Sequence, residues 1–241
     1  MKSVVAFKLC KDPKEAVVLS DGAIDWGLTK LAPSDSDDRA AEIARELGCE
    51  TIGLTIGDGD LAWAAARGAS GTIHIKDANE SLDAVKTASL LAAAVQKAGD
   101  VDLVLIGDST WDPAVPVLLG AQLGWTSMAG VVEARQEGSG LVVKRRTQSM
   151  EQEVQISLPA VLGILALREN EDKPGMKQIL AARKKPVETL TAQELGFDCP
   201  DAVAAVVTAL PDSTAAKIIS GEDAADIAKK LFETLKTEGV L

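Results

Sequence analysis

Tyrosine is missing from the chain altogether, and Phe and Trp together supply only 3% of its 241 residues. So thin an aromatic content argues against a sheet face that stacks nucleic-acid bases. Positive charge is short as well: 25 Lys and Arg stand against 36 Asp and Glu, a net charge of -11. Phosphate-backbone binding depends on clustered cations that displace counterions, so no nucleic-acid partner is expected. Cys10, Cys49 and Cys199 are odd in number, far apart and in no CxxC or metal spacing, which excludes a disulfide framework and points to a reducing compartment. No apolar run approaches the length of a membrane span, and the opening MKSVVAFKLCKD is too short in apolar residues for a signal segment. These absences together predict a cytoplasmic protein.

What the chain does contain is a size sufficient for one large domain, or a domain with an extension, around a substantial core. Its central stretch is VDLVLIGDSTWDPAVPVLLGAQLG, Val101 to Gly124. The branched and aliphatic run Val101 to Ile106, closed by Gly107, reads as a strand buried on both faces. Val115 to Leu123 reads as an apolar helix, with Pro113 where that helix would begin. Between them lies the loop GDSTWDP. In an open parallel sheet, ligands bind beyond the carboxyl ends of the strands, where backbone N–H groups face a crevice, so this loop is the first candidate for a ligand site.

The remainder alternates strands and helices. Val4 to Leu9 reads as a strand, and Val17 to Trp26 as a hairpin turned at Asp21-Gly22. A helix over Asp35 to Leu47, a strand over Thr51 to Ile56, a helix over Leu61 to Arg67, a strand over Thr72 to Ile75 and a helix over Ser81 to Ala98 follow. This alternation is the signature of βαβ units and a mostly parallel α/β sheet. Past Gly124 the pattern changes: Gly130 to Arg135, Gly140 to Arg146 and Glu153 to Leu158 read as an antiparallel addition, and AVLGILAL after Pro159 as a central strand. Met176 to Arg183 can form a short helix inside a charged segment. The tail from Ser220 has Ser and Asp at capping spacing, then Ile227, Leu231, Phe232 and Leu235 on one face. We therefore expect a domain over residues 1–190 and a helical arm over 191–241 that packs on a partner.

The pieces VVAFK, ARGASGTIHIKD, DLVLIGD, SLPAVLGI and MKQILAARKKPVETLTAQELGF occur in this order over nearly the whole chain. Together they resemble the β subunit of the electron transfer flavoproteins, most closely the branch associated with carnitine metabolism and nitrogen fixation. The resemblance implies a three-layer αβα sandwich of the adenine nucleotide alpha hydrolase type and a heterodimer with an α subunit. It also implies FAD as the cofactor, shared with or held by that subunit, AMP as a candidate occupant of this chain's own pocket, and an acyl-CoA dehydrogenase-type flavoenzyme as redox partner.

Carried over position by position, the resemblance implies nucleotide contacts at Ala6 on the first strand. It adds Ala32, Pro33, Ser34, Asp35 and Asp37 at the entry to a helix, and Ile56 and Gly57 after TIGLTI. The main loop would supply Gly107, Asp108, Ser109, Thr110, Trp111 and Asp112, with Ala114 and Val115 beyond it. Many relatives carry DTGQ after the Asp; here the loop is shorter and reads PAVPV. Lost donors would weaken a diphosphate site, each hydrogen bond to a charged oxygen being worth roughly 1.5–3 kcal/mol. The family also anchors its dehydrogenase through an apolar residue ahead of an IxxAKKK-like stretch. The equivalent here is Met176, with Ile179 and Lys184 beside it.

Plainer readings stand beside these. Gly107, Asp108, Ser109 and Asp112 also suit a tight turn capping the next helix, and Asp37 suits a dipole-favoured cap. His74, alternating with Ile73 and Ile75, reads as a strand residue. Trp111 either covers a bound ring or shields its loop. Lys144, Arg145 and Arg146 read as a solvated strand face, although Arg145 resembles a family Arg at the subunit and flavin side. Arg183 to Lys185 reads as solvated unless a partner covers it. The chain has no GxSxG, HExxH, Walker loop or Cys/His pair, which favours a carrier subunit over a stand-alone enzyme. Two alternatives accompany that expectation: a flavin-bifurcating subunit with its own FAD and NADH, and a scaffold with a degenerate nucleotide site.

Overall fold

The computed structural model describes residues 1–11, 15–78, 83–108, 113–167, 173–197 and 217–240. Ser109, Thr110, Trp111, Asp112 and Cys199 lie outside the described residues. The chain divides into two units: the described residues of 1–16 and 26–205 form one, and those of 17–25 and 206–241 the other.

In chain order the elements are β1 (Lys2–Ala6), β2 (Cys10–Lys11), β3 (Val17–Val18), β4 (Ile24–Asp25), β5 (Leu31–Ala32), α1 (Asp35–Glu46), β6 (Glu50–Ile56), α2 (Trp63–Ala66) and β7 (Thr72–Ile75). There follow α3 (Ala84–Ala98), β8 (Leu103–Gly107), α4 (Val115–Leu123), β9 (Thr126–Glu137), β10 (Gly140–Arg146), β11 (Glu151–Ser157) and β12 (Ala160–Ile164). The last are α5 (Met176–Ala182), β13 (Val187–Leu190), a 3₁₀ turn at Gln193–Leu195 and α6 (Ala224–Thr237).

A nine-stranded sheet in the order β11-β10-β9-β12-β8-β1-β6-β7-β13 forms the body of the larger unit. From β12 to β13 every pairing is parallel, and β9-β10-β11 form the antiparallel wing. Strands such as Leu103–Gly107 are apolar on both sides because helices cover both faces. The core accordingly lies in two layers. In one, Leu90, Leu91, Val95 and Leu119 of α3 and α4 meet Val4, Leu54 and Val104. In the other, Ala40, Ile43, Ala44, Trp63 and Ala64 of α1 and α2 meet Val5, Leu105 and Leu162. The protein is thus a mostly parallel, three-layer α/β sandwich. Among its described residues no helix is long and apolar enough to cross a membrane.

Several elements depart from the sequence reading. β9 begins at Thr126 rather than Gly130, and its first half pairs parallel with β12, Ala160 opposite Thr126. Its polar and small residues mask this half, and a register shift between Leu162 and Ile164 separates it from the antiparallel half. β13 is an edge strand on β7, Val187 opposite Thr72, hidden in sequence by the charged run before it. α4 begins at Val115, with Pro116 in its first turn, so Pro113 precedes the helix. Close packing explains a further point: a Cβ on Gly163 of β12 would lie 3.1 Å from Pro116 Cβ, so the glycine lets α4 sit down on the strand.

In the smaller unit, β3 and β4 pair antiparallel, Val17 opposite Asp25 and Val18 opposite Ile24. Leu19 N–H donates to the Ala23 carbonyl at 2.8 Å. Their loop is Ser20-Asp21-Gly22, with Gly22 at φ +82°, one residue longer than the two-residue turn read from Asp-Gly. α6 is capped by Asp223, whose side chain accepts from Asp226 N–H at 2.8 Å, rather than by Ser220. None of its residues is buried.

Candidate functional site

The chain runs from β1 outward through β6 and β7, then returns by α3 to β8 on the other side of β1. That reversal is a topological switch point, and a crevice opens beyond the carboxyl ends of the flanking strands. Ala6, Gly107 and Asp108, and Ile56 with Gly57, stand at the ends of β1, β8 and β6 respectively. Ala32, Pro33 and Ser34 lead into α1, and Asp35 is its exposed first residue. Ala114 is exposed and Val115 is buried at the start of α4. The structure therefore gathers Ala6, Ile56, Gly57, Gly107 and Asp108 at one edge of the sheet, with the α1 N-terminus joined to it through Asp37. The four residues 109–112 of the expected main loop lie outside the described residues.

The side chains of this rim are turned mainly toward their own backbone. Asp37 occupies the third position of a capping box: its carboxylate accepts from Ser34 N–H at 3.0 Å and Ser34 Oγ at 2.8 Å. In return, Ser34 Oγ accepts from Asp37 N–H at 3.1 Å. The same carboxyl accepts a hydrogen bond from the Gly107 backbone, yet burial outweighs these bonds and pushes Asp37 up from 3.8 to about 6. Asp108 accepts from Gly130 N–H at 2.7 Å, and its own N–H goes to the Ile164 carbonyl at 2.7 Å. Asp108 thus holds the bend of β9 at Gly130.

Gly57 is likewise spent. At φ +82° it donates its N–H to Ile75 at 3.0 Å, and its carbonyl lies 2.9 Å from His74 Nε2. Because a carbonyl only accepts, that contact requires the ring proton on Nε2. His74 is buried and is therefore a strand residue that fixes the crevice turn. The sequence signal for this role was its place in β7, one strand over from Gly57.

A second cluster braces α1 from behind. Arg67 Nε donates to Asp38 Oδ1 at 2.6 Å, and the guanidinium lies 4.4 Å over the Trp63 ring, which in turn meets Phe7 at 4.6 Å. Burial raises the Asp38 carboxyl above its usual range, and Arg67 offsets only part of that rise. Both side chains are largely buried, so removing either would strand a charge. Ser36 Oγ accepts from Ala166 N–H at 3.2 Å, tying the same helix turn to the segment after β12. Nothing local in the sequence linked Arg67 to Asp38, since the two are separated by a strand.

The described rim suits one part of a nucleotide and not another. Three acidic residues, Asp35, Asp37 and Asp38, occupy the first turn of α1, which disfavours a phosphate there, and the Gly57, Gly107 and Asp108 N–H groups already have acceptors. A neutral adenosine, whose ribose hydroxyls can donate to a carboxylate such as Asp35, is compatible with this chemistry. Among the described residues no group of His, Cys, Asp or Glu could hold a metal ion.

Away from the crevice, α5 presents Met176, 71% exposed, and Leu180. Ile179 is half-buried and Lys184 exposed. Lys185 departs from the solvated reading: its Nζ donates to the Ala65 and Ala69 carbonyls at 3.2 and 2.6 Å. Arg145 also departs from it, being half-buried with its Nε shielded from solvent and without a hydrogen-bond partner.

An open, mostly parallel α/β sheet with its crevice at a switch point defines a class of ligand-binding folds. The model of the electron transfer flavoprotein domain matches residues 29–195, and the chain belongs to that family. The match extends from the approach to α1 through β6, β8 and α5 to the 3₁₀ turn and leaves β1 outside it. Membership makes this an electron-transfer, flavin-associated protein of a kind that works with partner subunits and dehydrogenases.

Proposed function

We propose that the chain is the β subunit of a heterodimeric electron transfer flavoprotein. With an α subunit it holds FAD, takes electrons from an acyl-CoA dehydrogenase-type flavoenzyme and passes them to a reductase. The carrying observation is the family match over the α1 entry, the crevice strands β6 and β8, and α5 together. The flavin supplies the redox chemistry; the protein contributes binding, orientation and electrostatics. Ala6, Ile56, the α1 entry from Ala32 to Asp35, and Ala114 with Val115 would line the pocket of this chain. Its acidic helix turn supports AMP, held by its adenosine half, over a second diphosphate-bearing FAD. Ser109, Thr110, Trp111 and Asp112, which the family resemblance adds to these contacts, lie outside the described residues. Met176, Ile179 and Lys184 on and after α5 form the proposed dehydrogenase surface, and the apolar face of α6 the proposed α-subunit surface.

One observation favours a second reading. The N–H groups of Gly57, Gly107 and Asp108 all bond within the protein, as they would in a subunit whose pocket has become a scaffold. Co-purification with its α subunit, followed by acid release and counting of nucleotides, separates the readings. One FAD with one AMP per heterodimer is expected. One FAD alone favours the scaffold, two FAD the bifurcating alternative, and a flavin-free complex overturns the carrier assignment.

A further inference from the structure

We infer that Lys185 is a positioning residue that fixes α5 against the crevice-side helix α2, so that only Arg183 and Lys184 of the basic run are presented to a partner. This rests on the reading of α5 as a docking surface.

The three residues are consecutive in sequence but unequal in surroundings. Arg183 and Lys184 are exposed, while Lys185 is half-buried and donates to two carbonyls, Ala65 within α2 and Ala69 just beyond it. The ammonium adds a charged donor at the end of α2, where the Ala65 carbonyl also accepts from Gly68 N–H at 3.4 Å. The next residue closes a second link. The Pro186 carbonyl accepts from Thr72 N–H at 3.0 Å, and Thr72 Oγ1 donates to the Leu61 carbonyl at 2.9 Å, ahead of α2. A Cβ on Gly71 would lie 2.8 Å from the Pro186 oxygen, so that approach leaves no slack.

The segment leaving α5 is thereby tied to both ends of α2, which begins at Trp63 a short loop after Gly57. Between the two ties lies a cavity of about 310 Å3, lined by Asp60, Leu61, Thr72, Arg183 and Val187 among others. Ala182 is the one buried residue of α5, so the orientation of the helix depends on these hydrogen bonds more than on buried area. Met176 and Leu180, four residues apart, lie on one side of the helix, and Lys185 sets where that side points.

The test compares Lys185→Met, Lys185→Arg, Lys184→Met and Met176→Ala in the full heterodimer. Amide hydrogen exchange across Leu180 to Lys184 should speed about 10-fold or more in Lys185→Met and stay within about 2-fold in Lys184→Met. Electron transfer from a purified acyl-CoA dehydrogenase should show a raised KM with kcat kept in Lys185→Met, and Lys185→Arg should restore most of the affinity. Its salt dependence should flatten in Lys184→Met. Unchanged exchange in Lys185→Met overturns the positioning role. So does faster exchange with an unaltered KM while Met176→Ala raises it. An unaltered KM in both Met176→Ala and Lys185→Met instead removes the docking reading beneath the inference.

Discussion

α1 and α6 are written in the same idiom, yet they meet different fates. Each opens on a capping side chain, Ser34 or Asp223, that accepts from a backbone N–H three residues on, and each carries an apolar stripe at helical spacing. α1 buries Ala40, Ala41, Ile43 and Ala44, whereas α6 buries nothing and leaves Leu231 45% and Phe232 58% exposed. Amphipathicity therefore states that a face must be covered, not which chain covers it. For α1 the cover is its own sheet. For α6 we propose the α subunit.

Three measurements would break or sharpen this contrast. The largest effect is expected at Ile43, which is fully buried: Ile43→Ala should cost about 2–5 kcal/mol of stability, read as a lower urea midpoint at constant slope. A cost below about 0.5 kcal/mol would mean that α1 is not part of the cooperative core. The second effect is a pH dependence carried by Asp37. Its folded value, about 6, exceeds the unfolded 3.8. The folded state thus binds that proton more tightly, and the stability it contributes is complete below 3.8 and lost as pH rises through about 6. The wild-type advantage over Asp37→Asn should therefore shrink by up to about 3 kcal/mol across that window. A difference that is flat with pH would contradict the buried geometry. The smallest effect is expected at Leu231: Leu231→Ala should change the stability of the isolated chain by less than about 0.5 kcal/mol while weakening heterodimer assembly. A loss comparable to that of Ile43→Ala would show that the chain covers α6 itself.

The layered sheet was legible because its strands and helices announce themselves locally. The continuous run through Ile106 and the glycine stops at Gly48 and Gly99 each act within a few residues. β13 and the parallel half of β9 were not legible, since short strands with polar or small residues are defined by their neighbours, Thr72 and Ala160, far away in the chain. The crevice was legible as a feature of the fold, but the hydrogen bonding of its rim was not. Sequence located Gly107, Asp108 and Asp37 at the crevice, but which way their groups turn is set by Gly130 and Ser34 and by the approach of α1 to β8. Those meetings are products of topology.

That approach has a bearing on how tolerance to substitution should be interpreted. A methyl added at Gly107 would land 2.6 Å from Asp37 Oδ1 and 3.0 Å from its backbone nitrogen, with a buried helix behind it. A saturation-mutagenesis map would mark the position as forbidden to every larger residue even if no molecule ever visited the crevice. Intolerance at Gly107 thus measures the fit between two pieces of scaffold, and informative variation is to be sought at the exposed Asp35.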